Sequence, residues 1–328
     1  MVPGLICWIT MLQRQPTEHM FYRCALLFLC ANTVLLLTLT GYSSHWIAPL
    51  AATVLLAGGR ICHGASSAGL VPIAQSFKSD QRSFLHFADI SASAQAGRLI
   101  APLMMLFSWS TSLYAISFLL ALLGAALFFR PSSPVPRSVA TKTLPPSHII
   151  AAMLHMLKAP CALLAAGIAM LLSYLQLTLA PMWMRMPGVE ADSVILWLAT
   201  TLLLSGAAMS ICHAFLSRRP WIRHVQMVSL TLSIILAMQP EPFAHIASIT
   251  LLSLGIAPII PAYTTGLHLQ QPAPGIAGGT LTLSHSLGSL CGAVLSYLST
   301  TSELLFVVPF VAATGALLSL ILLQIRLI

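Results

Sequence analysis

Apolar residues along this chain fall into long runs, and the charges and prolines collect in the short polar stretches between them. Ten runs read as complete membrane spans, at roughly 24–41, 47–75, 84–107, 111–129, 160–184, 193–216, 225–239, 244–266, 276–298 and 304–325. The yardstick is about 20 apolar residues, the length at which a helix rising about 1.5 Å per residue crosses hydrocarbon. Met1 to Met11 is also apolar but too short to span. Short segments of strict alternation, the mark of a membrane β-barrel, are absent from the sequence. A helix satisfies its own backbone polar groups in lipid, so the predicted fold is all-α, a polytopic helical membrane protein whose first partner is the lipid bilayer.

Composition sharpens this picture. Charged residues make up 7% of the 328 positions and hydrophobic residues 58%, where a soluble domain carries about 25% charge. The net charge of +8 does not point to a nucleic-acid partner, because the basic residues sit singly or in small groups between apolar runs. Cys7, Cys24, Cys30, Cys62, Cys161, Cys212 and Cys291 are scattered without a CxxC, and they read as small buried side chains rather than disulfides or metal ligands. No basic n-region or A-x-A site marks a cleavable signal peptide.

The loops alternate in charge. One side holds Arg14, Arg23, Lys78, Arg82, Arg130, Arg137, Lys142, Lys158, Arg218, Arg219, Arg223 and Arg326. The other holds Arg185 with Glu190, Asp192, Glu241 and Glu303. The first side is therefore expected in the cytoplasm. Trp46, Trp109, Trp183, Trp197 and Trp221 lie near span ends, as an interfacial aromatic belt requires. The proline- and serine-rich stretch 130–147 reads as a cytoplasmic linker. It divides an N-terminal bundle, 1–129, from a C-terminal six-helix bundle, 148–328.

The halves show a weak internal repeat. Leu12-Gln-Arg-Gln-Pro16 matches Leu216-Ser-Arg-Arg-Pro220, and Gly97-xxx-Ala101 corresponds to Gly288-xxx-Gly292. Such symmetry is expected of transporters built from repeated units. Carried back through the repeat, the span at 193–216 makes Met1 to Met11 the cytoplasmic half of a helix whose start is absent, and the span at 160–184 has no counterpart in the first half.

Two motifs carry a resemblance to a known family. Leu56-Ala-Gly-Gly-Arg60-Ile-Cys-His63-Gly64 is similar to the L-x-x-x-R-x-x-Q-G pattern in the fourth helix of the major facilitator superfamily, with His63 in place of Gln. Gly97-Arg98-Leu-Ile-Ala101-Pro102 resembles the G-x-x-x-G-P pattern in the fifth helix of that family's exporters, with Ala101 for the second Gly. The family's loop signature after the second helix is not recognisable around Leu12 to Arg23, where only basic residues remain. The resemblance covers essentially the whole chain. It implies twelve helices in two six-helix halves, alternating access to a central cavity, a monomer, and residence in a bacterial inner membrane. The fifth-helix pattern tilts it toward efflux by antiport.

Candidate functional residues follow from placing polar groups inside the spans. Arg60 and Arg98 lie near mid-membrane, where a charge costs at least about 2.5 kcal/mol and must face a cavity or a partner. His63 and Ser67 share a helical face with Arg60, and Gln95 and Ser91 share one with Arg98. Lining a cavity, the two arginines favour an anionic substrate group; alternatively, Arg60 fixes packing by pairing with an acid on the absent first helix, and Arg98, which sits in a small-residue packing motif, serves helix packing as well. Asp89 is a proton carrier or an interfacial cap. His63, His213 and His285 are each expected to make a helix-packing hydrogen bond. Tyr174, Gln176, Tyr263 and Ser284 are further candidates for cavity lining. Gly97, Ala101, Gly288 and Gly292 are expected at close helix contacts, with Gly64 part of the fourth-helix motif. Pro72, Pro102, Pro258 and Pro261 are expected to kink or unwind their helices, Pro258 and Pro261 as a gating bend.

The sequence holds no P-loop, HExxH or GxSxG and no paired carboxylates in one span, so no enzyme, cofactor or metal site is expected. The expected function is secondary transport of a small-molecule substrate, linked to protons: efflux of an amphipathic or anionic drug, metabolite or siderophore-like compound. Two alternatives stay open. One is a transport-inactive remnant serving as a membrane partner or sensor, and the other is an importer of organic anions.

Overall fold

The computed structural model describes residues 2–15, 17–76, 87–92, 144–216, 219–270 and 275–299, with isolated positions at 95, 99, 102, 310, 314 and 315. The described elements are helices: α1 (Val2–Leu12), α2 (Thr17–Ser43), α3 (Pro49–Ser76), α4 (Pro146–Met156), α5 (Pro160–Trp183), α6 (Ala191–Ala214), α7 (Ile222–Ala237), α8 (Pro242–Ile256), α9 (Ile259–Gln270) and α10 (Ile276–Ser299). A short helical stretch also covers 87–92. Among the described residues, five helical segments are long and apolar enough to cross a membrane: His19–Ser43, Pro160–Trp183, Ala191–Ala214, Pro242–Gln270 and Ile276–Leu298. Pro3–Leu12 and Ile222–Ala237 are apolar but shorter. The spans expected at 111–129 and 304–325, and most of 84–107, lie outside the described residues.

Only 28–56% of each apolar span is buried within the protein. Large apolar side chains such as Leu163, Leu290 and Val228 point outward, each more than half exposed. Contiguous apolar surface on that scale is untenable in water and is what hydrocarbon accommodates. The chain is an integral, multi-pass membrane protein.

The helices fall into two compact units. The first takes in Met1–Arg82, Ser108–Ala159 and Leu267–Leu283; the second takes in Ser83–Phe107, Pro160–Gly266 and Ser284–Ile328. Helices α9 and α10 each have residues in both units.

In the first unit, α2 and α3 form a helical hairpin. Its turn closes because the Gly41 carbonyl accepts the N–H groups of both Trp46 and Ile47, at 2.8 and 3.2 Å. His45 takes the left-handed conformation this requires, φ 60°, a region that His tolerates better than most residues. The apolar α1 lies against α3. Trp8 packs over Gly69, where a Cβ would sit 2.6 Å from the indole ring, and its Nε1 donates to the Ala65 carbonyl at 2.9 Å. Trp8, Leu12, Met20, Cys24 and Ile73 make the core of this unit. Pro72 lies inside α3, which continues as helix to Ser76.

The helix α4 begins at Pro146, inside the stretch read from sequence as linker. Ile149, Met153 and Met156 are its buried residues, at i, i+4 and i+7. That one-sided stripe anchors a surface helix by a single face. The Gln13 side-chain carbonyl accepts the Leu144 N–H at 2.9 Å, tying the end of the linker to α1's end of the unit.

In the second unit, α5 and α10 run side by side and parallel: Ala166 meets Gly288, and Met170 meets Gly292. The hydroxyl of Ser173 donates to the Ser289 carbonyl at 3.0 Å, and Thr178 Oγ1, whose own hydrogen goes to the Tyr174 carbonyl at 2.6 Å, lies 3.1 Å from Ser296 Oγ. The two glycines expected at a close contact are at one. A Cβ on Gly288 would overlap the Ala166 carbonyl, and one on Gly292 would overlap that of Met170. The corresponding Gly97 and Ala101 lie outside the described residues. On the far side, α7 and α8 pair through Ser248, which donates to the Ser233 carbonyl at 2.7 Å.

The span expected at 244–266 is two helices. Pro258 has no N–H, and α8 stops at Ile256. Pro261 sits in the first turn of α9, where a missing N–H leaves no bond unmade. The Gly255 carbonyl beside the break accepts Gln226 Nε2 at 3.1 Å, so a side chain from α7 satisfies a backbone acceptor at the bend.

Replacing Gly288 with Ala is expected to destabilise the protein by about 1–3 kcal/mol, because the added methyl meets backbone that cannot rotate away. Gly167 on α5 is the control, since nothing lies within 4 Å of a Cβ there. Thermal unfolding in detergent should show a lowered Tm for Gly288→Ala and none for Gly167→Ala.

Candidate functional site

Two groups of polar side chains stand out within the helices, one in each unit. The first is built on the α2–α3 hairpin. Arg60 and His63 lie on α3 one turn apart. Arg60 is exposed and makes no ion pair among the described residues. His63 is half-buried, and its Nδ1 donates to the Asn32 side-chain oxygen at 3.2 Å. Its ring stacks at a tilt on Phe28, with centroids 4.7 Å apart. The Asn32 amide donates in turn to the Phe28 carbonyl at 2.7 Å, so a buried asparagine fixes the histidine tautomer and leaves Nε2 as an acceptor. Ser67 bonds back to the Gly64 carbonyl at 3.3 Å, and a Cβ at Gly64 would meet nothing within 4 Å. Asn32 was not expected from the sequence. The available signal was a lone amide inside an apolar run.

The second group surrounds a cavity of about 200 Å³ in the second unit. Gln95 and Pro102 line it from one side, and Gln176 of α5 from another. Thr201 and Ser205 of α6 and Ser253 of α8 complete its polar lining, and leucines, Met209 and Ile249 supply the apolar remainder. The sequence had nominated Gln95 and Gln176 separately, and the fold brings them to one cavity. The three hydroxyl residues were missed, because Ser and Thr are too frequent in spans for any one to be a signal. Thr201 donates to the Trp197 carbonyl at 2.7 Å and Ser205 to that of Thr201 at 2.6 Å. Their hydrogens are committed to the helix, so what they offer the cavity is oxygen lone pairs. The lining thus combines an apolar body with a few acceptors and two amides, which fits an amphipathic ligand.

Other nominated residues lie elsewhere. Tyr174 is buried on α5 beneath Gly292 of α10 and does not line the cavity. Tyr263 is buried on α9, its hydroxyl 2.9 Å from His285 Nε2 on α10. Ser284 is buried and its hydroxyl has no hydrogen-bond partner. Asp89 is exposed on 87–92. Arg98 lies outside the described residues. At the end of the unit marked by Glu190 and Asp192, Trp183, Trp197 and Phe243 form an edge-to-face cluster with centroids 5.9 and 6.2 Å apart. Trp183 Nε1 also donates to His245 Nδ1 at 3.3 Å. Of the belt tryptophans, Trp183 and Trp197 pack there on each other.

No family model and no curated protein matches the sequence. Solved structures do match the fold. The E. coli fucose:proton symporter FucP superimposes with a TM-score of 0.64 at 15% identity, over 97% of this chain and 87% of that one. The human organic anion transporter MFSD10 gives 0.61 at 15% identity, over 97% and 80%. A further FucP structure, a major facilitator superfamily transporter in the outward conformation, gives 0.61 at 14% identity, over 97% and 86%. This chain has the major facilitator fold. At such identities the likeness speaks for the fold alone.

The Tyr263–His285 bond joins α9 to α10 just beyond the Pro258 bend. Tyr263→Phe removes its hydroxyl and is expected to cost about 0.5–1.5 kcal/mol, the usual size of one interhelical hydrogen bond. Chemical denaturation in mixed micelles checks this, and an unchanged midpoint would show that the bond contributes nothing.

Proposed function

We propose that this chain is a secondary active transporter moving an amphipathic small molecule with an anionic group, by alternating access. The observation that carries the reading is the cavity that gathers Gln95, Gln176, Thr201, Ser205 and Ser253 inside a helical bundle of major facilitator type. Its leucine, methionine and isoleucine walls suit an apolar body, and its amides and acceptor oxygens suit a hydroxyl or amide. The anionic preference comes from the arginines. Arg60 is a cation without an ion pair among the described residues. Arg98 stands three residues from Gln95 in sequence.

Proton-linked efflux is the direction proposed, on the strength of the Gly97–Pro102 motif. Import is the second reading, and a specific comparison favours it: FucP is a fucose:proton symporter. MFSD10, an organic anion transporter, agrees with the proposed substrate class.

The test is flux in liposomes containing the full chain, with a pH gradient imposed in either sense. The probes are radiolabelled benzoate, a sugar phosphate and a catecholate siderophore. At least one anion should move faster than in empty vesicles, in the direction the gradient sets. Arg98→Gln should lower that flux about tenfold or more, as loss of one charge-assisted hydrogen bond of about 1.5–3 kcal/mol implies. If no probe moves under either gradient, the transport reading fails and the chain is a membrane partner or sensor.

A further inference from the structure

Three histidines in the spans were expected to pack helices through hydrogen bonds, and two do. His63 bonds Asn32, and His285 bonds Tyr263. His213 does not. It is completely buried near the end of α6, and neither Nδ1 nor Nε2 has a hydrogen-bond partner among the described residues. One turn earlier, the Ser210 hydroxyl is also buried and unpartnered. Its neighbours Thr201 and Ser205 bond back to their own helix, so Ser210 departs from the local habit.

Three orphaned polar atoms on one helical turn cost about 1–3 kcal/mol each if nothing satisfies them. The residues are i and i+3, on one face with Cβ atoms about 5–6 Å apart, a gap that one water spans. A water needs two to four polar partners. A neutral imidazole supplies one donor and one acceptor, and a hydroxyl supplies one donor and two acceptor lone pairs. The same face leads to the cavity: Leu202, Gly206 and Met209 line it, and His213 is the next residue along that row. No group of three metal-ligating side chains exists among the described residues, so a metal does not explain the pair.

We propose that Ser210 and His213 enclose a buried water site that continues the α6 cavity and makes His213 a proton-exchanging group inside the bundle. Other titratable groups on α6 and on the described elements packed against it are Asp192 and Cys212 on α6 itself, Cys161 and Tyr174 on α5 and His245 on α8. His245 already accepts from Trp183. Any part His213 plays in proton coupling rests on the transport reading, whereas the water site does not.

The test needs no substrate. Deuterium exchange at the imidazole C2 position, read by mass spectrometry of the full chain in nanodiscs in D2O, reports water access to each histidine. Exposed His148 and half-buried His63 serve as internal references. His213 should exchange within about tenfold of His63, where a dry buried ring would exchange only through rare opening of the bundle. Ser210→Ala should slow it at least about threefold by removing one of the water's partners. The stability of His213→Leu gives a second readout. It should lower the Tm, because the water and Ser210 lose a partner, whereas a dry, unsatisfied ring replaced by an apolar side chain would raise it. No exchange at His213 while His148 exchanges fully, or a raised Tm for His213→Leu, overturns the proposal. Either result leaves the liposome flux assay free to succeed or fail on its own.

Discussion

Hydrocarbon offers no hydrogen bonds, and nearly every feature of this molecule follows from that one constraint. Each span must close its own backbone ladder, which makes every span a helix. Side-chain hydroxyls obey the same rule. Thr33, Thr38, Thr178, Thr200, Thr231 and Thr250 all donate to the carbonyl four residues back, so a polar group enters an apolar run without an open bond. Where Pro258 interrupts the ladder, Gln226 reaches across from α7 to the Gly255 carbonyl. The bend is tolerated because a neighbour supplies the donor.

The same solvent removes the usual force that holds helices together. Lipid is as apolar as leucine, so helix pairing depends on close packing and on the few polar contacts between helices. The α5–α10 pair shows both. Gly288 and Gly292 let the two backbones approach to contact, and Ser173 and Thr178 then bond across the seam. The hydroxyl contacts are individually small, about 0.6 kcal/mol on average in membrane proteins, and they set register more than stability. In the other unit Gly69 does for Trp8 what Gly288 does for Ala166, by removing the side chain that would hold the two helices apart.

Satisfied polar groups are therefore the background against which function is read. Most hydroxyls are committed to their own helices, and His63, His245 and His285 have partners. Against that background the exceptions stand out among the described residues: the Arg60 guanidinium without an ion pair, and the buried Ser210, His213 and Ser284 side chains without a hydrogen-bond partner. A ligand or water that meets these groups meets them in surroundings of low dielectric, where each hydrogen bond and charge counts for more than it would in water.

Span composition and helical class were determined by sequence alone, because they depend on local hydropathy, whereas a missing N–H did not decide by itself where a helix ends: α3 runs on through Pro72 and α8 stops before Pro258. The glycines at 288 and 292 were legible as a small-residue contact, whereas 244–266 reads as one span with a bend and is two helices in the fold. The helix α4 was legible in its Ile149, Met153 and Met156 spacing, yet it was passed over because it is too short to span. The tertiary structure decided which helix each polar residue faces. One residue along a helix turns a side chain by about 100°, and nothing local says what stands opposite. Gln176 therefore lines a cavity while Tyr174, two residues away, is buried outside it. His63 gained a partner that no spacing rule could supply, since Asn32 lies 31 residues away, and His213 gained none.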